Sequence, residues 1–282
     1  KLPRVARYMK YRDAFPNLSE DDATKDVPKR FQVDGEFSHQ PMSDESLDAL
    51  FNGRLKLFQS RAGYRFSLDA LLLSRFAVLR PHERAVDLGA GNGVVSLILA
   101  SFHPQVSITA VEFQAALAER AERNVKLNRL ESKIQIRCGA VRLVESLGSP
   151  ESVDVVACNP PYRQRDSGRT SPNDEKQVAR HEIHGGLNDF LKAGAFLLRP
   201  NGRMTLVYLA SRTVDLLAAM RALKIEPKRL RMVHSFSDGD ASLVLVEGVK
   251  GGRAGMKIEP PLIIYRHGKK YSDEAAALIS GN

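Results

Sequence analysis

Asn159-Pro160-Pro161-Tyr162 directly follows the apolar run Val153-Asp154-Val155-Val156-Ala157-Cys158, so it stands where a strand ends and a loop begins. Two consecutive prolines remove two main-chain donors and fix the turn, which lets the Asn159 amide oxygen and the Pro160 carbonyl face a pocket as acceptors. Paired acceptors of this kind suit the N–H bonds of a planar amine. Tyr162 adds a ring that can stack on a flat base, a contact worth about 1–3 kcal/mol. Taken alone, the four residues also fit an ordinary strand-to-loop turn.

A second cluster lies upstream. Residues 86–94 read Val-Asp-Leu-Gly-Ala-Gly-Asn-Gly-Val, between the strand-like Arg84-Ala85 and the helical pattern of Val95, Leu97, Ile98 and Leu99. Gly89, Gly91 and Gly93 give G-x-G-x-G, whereas the dinucleotide fingerprint G-x-G-x-x-G requires a glycine where Val94 stands. That departure weakens a nicotinamide-dinucleotide reading. The next strand candidate, Ser107-Ile108-Thr109-Ala110-Val111, ends in Glu112, whose carboxylate can accept from both hydroxyls of a ribose. One helix and one strand separate it from the glycines, the spacing of a nucleoside-binding βαβ unit.

These residues need a scaffold, and the hydrophobic pattern supplies one. Strands over 85–88, 108–111, 134–137 and 153–157 alternate with helices over 94–102, 114–128 and 142–147, which implies a parallel sheet with right-handed crossovers. A helix over 188–198, a strand over 203–209 and a helix over 213–223 continue the pattern. Two strands over 230–236 and 243–249 then flank Ser237-Asp238-Gly239-Asp240, a hairpin connection. The sum is an α/β, Rossmann-like fold with a seven-stranded, mostly parallel sheet flanked by helices. Ahead of it, Ser43-Asp44-Glu45 reads as the start of a helix over 47–51, Asn52-Gly53 as a turn, 54–60 as a strand that pairs back with 64–66, and 67–79 as a helix. The expected division is a polar, basic extension over 1–45, a hairpin and helix over 46–80, a catalytic domain over 81–250 and a basic tail over 251–282.

With 43% hydrophobic and 27% charged residues among 282, the composition is that of an ordinary globular chain. No apolar run is long enough to span a bilayer and no leader pattern opens the sequence, so a cytoplasmic, membrane-free protein is expected. Cys138 and Cys158 fall in or near core strands, as buried thiols rather than a disulfide framework. The net charge of +9 favours a polyanionic partner. Lys1, Arg4, Arg7, Lys10 and Arg12 precede the first acid; Arg221, Lys224, Lys228, Arg229 and Arg231 form a second group, and the tail carries a third. Each group fits either phosphate binding or a solvated face. His181-Glu182-Ile183-His184 has its histidines three apart rather than the four of a zinc-protease helix, so no metal is expected.

With these residues placed, the chain resembles the class I S-adenosylmethionine (SAM)-dependent methyltransferases with an Asn-Pro-Pro-Tyr motif, and within them the bacterial tRNA(Val) adenine-N6 methyltransferase family. The likeness rests also on Gly63-Tyr64-Arg65-Phe66-Ser67-Leu68-Asp69-Ala70-Leu71-Leu72-Leu73, Asn124-Val125-Lys126-Leu127-Asn128, Ala179-Arg180-His181-Glu182 and Pro260-Pro261-Leu262-Ile263-Ile264-Tyr265, and covers roughly residues 47–273. It implies SAM as cofactor, tRNA as partner and methylation of the exocyclic amine of the adenine just 3′ of the anticodon. The implied catalytic residues are Asn159, Pro160, Pro161 and Tyr162. The implied cofactor residues are Phe66, Asp69, Asp87 near the methionine end, Gly89, Gly91, Gly93, Glu112, Gly139, Ala140 and Asn159. Arg163, Arg165 and Arg180, in a polar segment after Tyr162, would meet the RNA. One departure stands out: the family commonly has Gly-Asp where this chain has Gly139-Ala140, so recognition of the cofactor's adenine must use other groups. Relatives with similar motifs act on ribosomal guanines or a protein glutamine, and a non-catalytic RNA-binding module of the same fold is the alternative of another class.

Overall fold

The apolar segments of the sequence resolve into a sheet whose central strands are buried on both faces. A computed structural model of the chain describes residues 40–62, 67–162, 185–266 and 270–281. A hairpin, β1 (Glu45–Leu50) and β2 (Leu55–Ser60), leads into α1 (Leu68–Phe76). The alternating core follows as β3 (Arg84–Leu88), α2 (Val94–Phe102), β4 (Ser107–Glu112), α3 (Ala115–Leu127), β5 (Ile134–Cys138), a 3-10 turn at Val141–Leu143, α4 (Val144–Leu147) and β6 (Val153–Cys158). It is completed by α5 (Leu187–Leu197), β7 (Leu198–Leu209), α6 (Thr213–Ala222), β8 (Ile225–His234), β9 (Ala241–Lys250), β10 (Lys257–Ile258), β11 (Leu262–Ile263) and α7 (Asp273–Ser280).

The main sheet runs β10-β8-β9-β7-β6-β3-β4-β5, with β11 also on β8. Only β9 is antiparallel to its neighbours. Seven strands match the expectation; the two short additions come from residues expected to be a basic tail. Leu262, Ile264 and Ala275 of that segment are buried in the same hydrophobic cluster as α1 and α2. The sheet reverses direction of growth at β3, which has β4 on one side and β6 on the other, and ligands of open α/β sheets bind at the carboxyl ends of such a pair. Leu88 pairs with Cys158, so Gly89 and Asn159 leave adjacent strands at the same level.

One expectation fails. Residues 47–50 belong to strand β1 and Phe51 to the turn after it, not to a helix, and β2 pairs with β1 in the register Glu45↔Ser60 to Leu50↔Leu55. Glu45, read as a helix-start acid, is instead 1% exposed and accepts from Met42 N–H at 3.0 Å, Arg120 Nε at 2.7 Å and Arg123 Nη1 at 2.9 Å. Phe51, Asn52 and Gly53 all take positive φ, which reverses the chain within the hairpin turn. Residues 64–66, expected to pair with this strand, lie outside the described residues.

The hairpin is held by α3 in an unusual way. Asn128 donates to the Lys56 carbonyl (2.6 Å) and accepts from Lys56 N–H (2.9 Å); Asn124 does the same for Phe58 at 3.2 and 2.6 Å. Four residues of helix rise about 6 Å and two residues of strand about 6.6 Å, so amides at i and i+4 can imitate a neighbouring strand. Asn124 also donates to the Asn92 carbonyl at 3.0 Å, tying the hairpin to the glycine loop. No described helix is long and apolar enough to cross a membrane.

Candidate active site

The glycine loop is shaped by positive φ at Gly89 (74°), Gly91 (58°) and Gly93 (84°), a region that side chains other than glycine rarely enter. At Gly89 there is a second reason: a Cβ would lie 2.9 Å from the Phe190 ring of α5. Gly93 caps α2, whose residues Val94 to Ala100 are all buried.

Asp87 is 2% exposed and accepts from Ser96 N–H (3.1 Å) and Ser96 Oγ–H (2.7 Å) at the start of α2. Burial raises its pKa to about 7; the Ser96 bonds oppose the rise and the Glu112 charge adds to it. Glu112, at the end of β4, is 6% exposed. Its two oxygens accept from Gly91 N–H and Gln114 N–H, both at 2.8 Å. Burial pushes this carboxyl up as well, against the Gln114, Gly91 and Phe113 amides. Each carboxylate oxygen has a further lone pair, so Glu112 can fix the loop and still receive two hydroxyls. Within the glycine loop, Asn92 is fully buried, and neither amide atom has a hydrogen-bond partner among the described residues. Sequence reasoning missed Asn92; its place inside the glycine loop was the available signal.

Gly139 donates to the Glu112 carbonyl at 2.9 Å, and Ala140 is buried at the start of the 3-10 turn. Nearby Arg142 pairs with Asp189 of α5 at 3.1 Å, and Asp189 also accepts from Gly186 N–H at 2.8 Å.

At the end of β6, Pro160 is buried while Asn159, Pro161 and Tyr162 are partly exposed. The Tyr162 hydroxyl lies 2.6 Å from Asp69 Oδ2 of α1 and 2.9 Å from Asn159 Oδ1. Its ring packs edge-on against Tyr208, at 5.6 Å between centroids. Asp69 is therefore brought to the Asn-Pro-Pro-Tyr turn. Phe66, Arg163, Arg165, Arg180 and the His181–His184 run lie outside the described residues. Among the described residues no His, Cys, Asp and Glu group could hold a metal.

The basic group of β8 and its approach is largely occupied. Arg221 pairs with Glu226, Arg229 with Glu247 and Glu259, and Arg231 with Glu274, while Lys228 donates to the Arg253 and Gly255 carbonyls. Through Glu259, Glu274 and the Arg253 and Gly255 carbonyls, Arg229, Arg231 and Lys228 hold the following segment to the sheet edge.

A family model described as the methyltransferase small domain matches residues 68–223. A tRNA1(Val) (adenine(37)-N6)-methyltransferase of Shewanella halifaxensis is 30% identical over 182 residues, covering 64% of this chain and 71% of that protein. One of the same name from Porphyromonas gingivalis is 26% identical over 200 residues, covering 69% and 78% respectively. Another, from Bacteroides fragilis, is 28% identical over 151 residues, 54% of this chain and 62% of the relative. Among solved structures, a protein described as a predicted O-methyltransferase from Agrobacterium tumefaciens aligns with a TM-score of 0.63 at 22% identity, covering 76% of this chain and 96% of that one, and so shares its fold.

Proposed function

The chain belongs to the methyltransferase small domain family and, within it, to the tRNA1(Val) (adenine(37)-N6)-methyltransferases, and from that premise we propose that it methylates the exocyclic N6 of adenine 37 in a valine tRNA, with SAM as cofactor. The observation that carries the reading is the pairing of Leu88 with Cys158, which sets the Asn159 turn beside the glycine loop.

The donor set fits SAM. Asp87 and Glu112 are buried carboxylates at the ends of neighbouring strands, suited to a ligand with cationic groups and ribose hydroxyls, and the Asn92 amide has hydrogen-bonding capacity to spare. SAM, when bound, supplies an electrophilic methyl on sulfur. The Asn159 amide oxygen and the Pro160 carbonyl accept the two N–H bonds of the adenine amine and so favour positive charge developing on its nitrogen. The Tyr162 ring, partly exposed beside Asn159, is the surface on which the base stacks. An anticodon-loop adenine reaches this turn by unstacking from its neighbours. No general base is required, because the proton can leave after the new bond has formed.

Asp87 makes SAM binding depend on pH. In the ligand-free protein its pKa of about 7 leaves much of the population protonated at neutrality. A cationic ligand group beside it favours the ionised form, so binding expels a proton. Affinity should rise about tenfold from pH 6 to pH 8, one proton over a transition centred near 7. Because the folded pKa is raised, ligand-free stability falls as pH climbs from about 4 to 7. Titration calorimetry at the two pH values checks this, and Asp87→Asn should flatten the dependence.

The reading itself is tested by transfer of labelled methyl from SAM to tRNA lacking native modification, with nucleoside analysis. Labelled N6-methyladenosine in valine tRNA is the expected result. Label in ribosomal RNA or a protein glutamine, or in nothing at all, would overturn it.

A further inference from the structure

Tyr162 carries one phenolic proton, and among the described residues two oxygens compete for it: Asp69 Oδ2 at 2.6 Å and Asn159 Oδ1 at 2.9 Å. The competition bears on the reaction proposed above, on which this inference rests, since a proton given to Asn159 would cap the oxygen needed by the adenine amine. The carboxylate is the stronger acceptor of the two and is also the closer one. With the proton on the Asp69 side, Tyr162 Oη presents only lone pairs to Asn159. Two oxygens facing each other at 2.9 Å without a proton repel, whereas a half-turn of the Asn159 amide places Nδ2–H against Tyr162 Oη. The polar sequence then runs from Asn159 N–H to Tyr162 Oη and from Tyr162 O–H to Asp69, and it leaves Asn159 Oδ1 open. We infer that Asp69 is a positioning residue: by holding the Tyr162 proton it keeps the Asn159 carbonyl oxygen turned out to receive the target amine. Its place supports this, since α1 carries Asp69 in its first turn and Tyr208, against which Tyr162 rests, is 2% exposed. The resemblance to the family had given Asp69 to the cofactor instead.

Asp69→Asn is the informative change. It keeps the shape but offers an N–H to Tyr162 Oη, so the phenolic proton turns to Asn159 and caps its oxygen. At saturating SAM, Asp69→Asn should lower kcat on valine tRNA about 100-fold, the cost of losing one aligned transition-state acceptor, while the SAM dissociation constant measured by calorimetry stays within about threefold. Where Tyr162 is Phe, no proton is left to misplace, and adding Asp69→Asn should change kcat by less than about threefold. Asp69→Glu, which keeps the carboxylate, should recover most of the loss. The inference is overturned if Asp69→Asn weakens SAM binding tenfold or more with kcat intact, or if it costs the same factor in both backgrounds. Thermal melts of the four ligand-free proteins test the pairing without any substrate. Tyr162→Phe should lower Tm by about 3 °C next to Asp69 and by less than about 1 °C next to Asn at that position, and equal drops refute the bond. A wild-type protein inactive on tRNA would reject the proposed function, and the melts would still decide the pairing.

Discussion

Replacing Asn159 by Ala lowers methyl transfer to tRNA at saturating SAM by about 10²–10³-fold and leaves the SAM dissociation constant within about threefold. The magnitude is that of removing one preorganised polar group that meets charge only as it develops, about 3–4 kcal/mol in the transition state. Pro160 still offers its carbonyl, so the loss is not total. Asn159→Asp keeps an acceptor at the same place and should retain about tenfold more activity than the alanine variant. Single-turnover rates for the three proteins check the order, and an Ala variant as fast as wild type would remove Asn159 from the mechanism.

Glu112→Ala produces the opposite pattern, with the SAM dissociation constant raised about 100-fold and kcat at saturating SAM little changed. The carboxylate does two things at once: it receives Gly91 N–H and Gln114 N–H at 2.8 Å, and it is the acceptor offered to a ribose. Charged hydrogen bonds contribute about 1.5–3 kcal/mol each, and a net loss of about 3 kcal/mol corresponds to that hundredfold change. Glu112→Gln still accepts through one oxygen and should fall between the two. Calorimetric titration with SAM separates the three. Unchanged affinity in the alanine variant would show that the ligand lies elsewhere on the sheet edge.

Which parts of this architecture were legible follows from the range of the interactions involved. The βαβ unit around Gly89, Gly91 and Gly93 could be read directly, because β3 and α2 are mostly apolar and the backbone between them needs glycine for local reasons. The turn at Asn159 was legible for the same reason. Glu45 was not: as a first-turn acid it satisfies every local rule for starting a helix, and only Arg120 and Arg123, some 75 residues on, draw it into a strand. Asp69 likewise meets a partner 93 positions away. Asn124 and Asn128 were visible as a family likeness, but their action as a substitute strand for β2 depends on where α3 lies. The β8 cations fitted two readings in sequence, and their partners Glu226, Glu247, Glu259 and Glu274 depend on how distant segments pack.

The way the far end of the chain closes the structure also constrains how the protein is made. β8 gains its outer neighbours only from residues 257–263, and Gly281, just beyond α7, comes so near the Phe51 ring that a Cβ there would lie 2.8 Å from it. Phe51 also meets Phe102 edge-on at 5.1 Å. During synthesis, the hairpin and α1 therefore leave the ribosome long before the segment that covers them. Contacts between residues so far apart in the chain delay folding and prolong exposure of apolar surface. The nascent protein thus passes through an interval in which β8 is a bare edge and α1 is uncovered, and that interval is when chaperones would engage it.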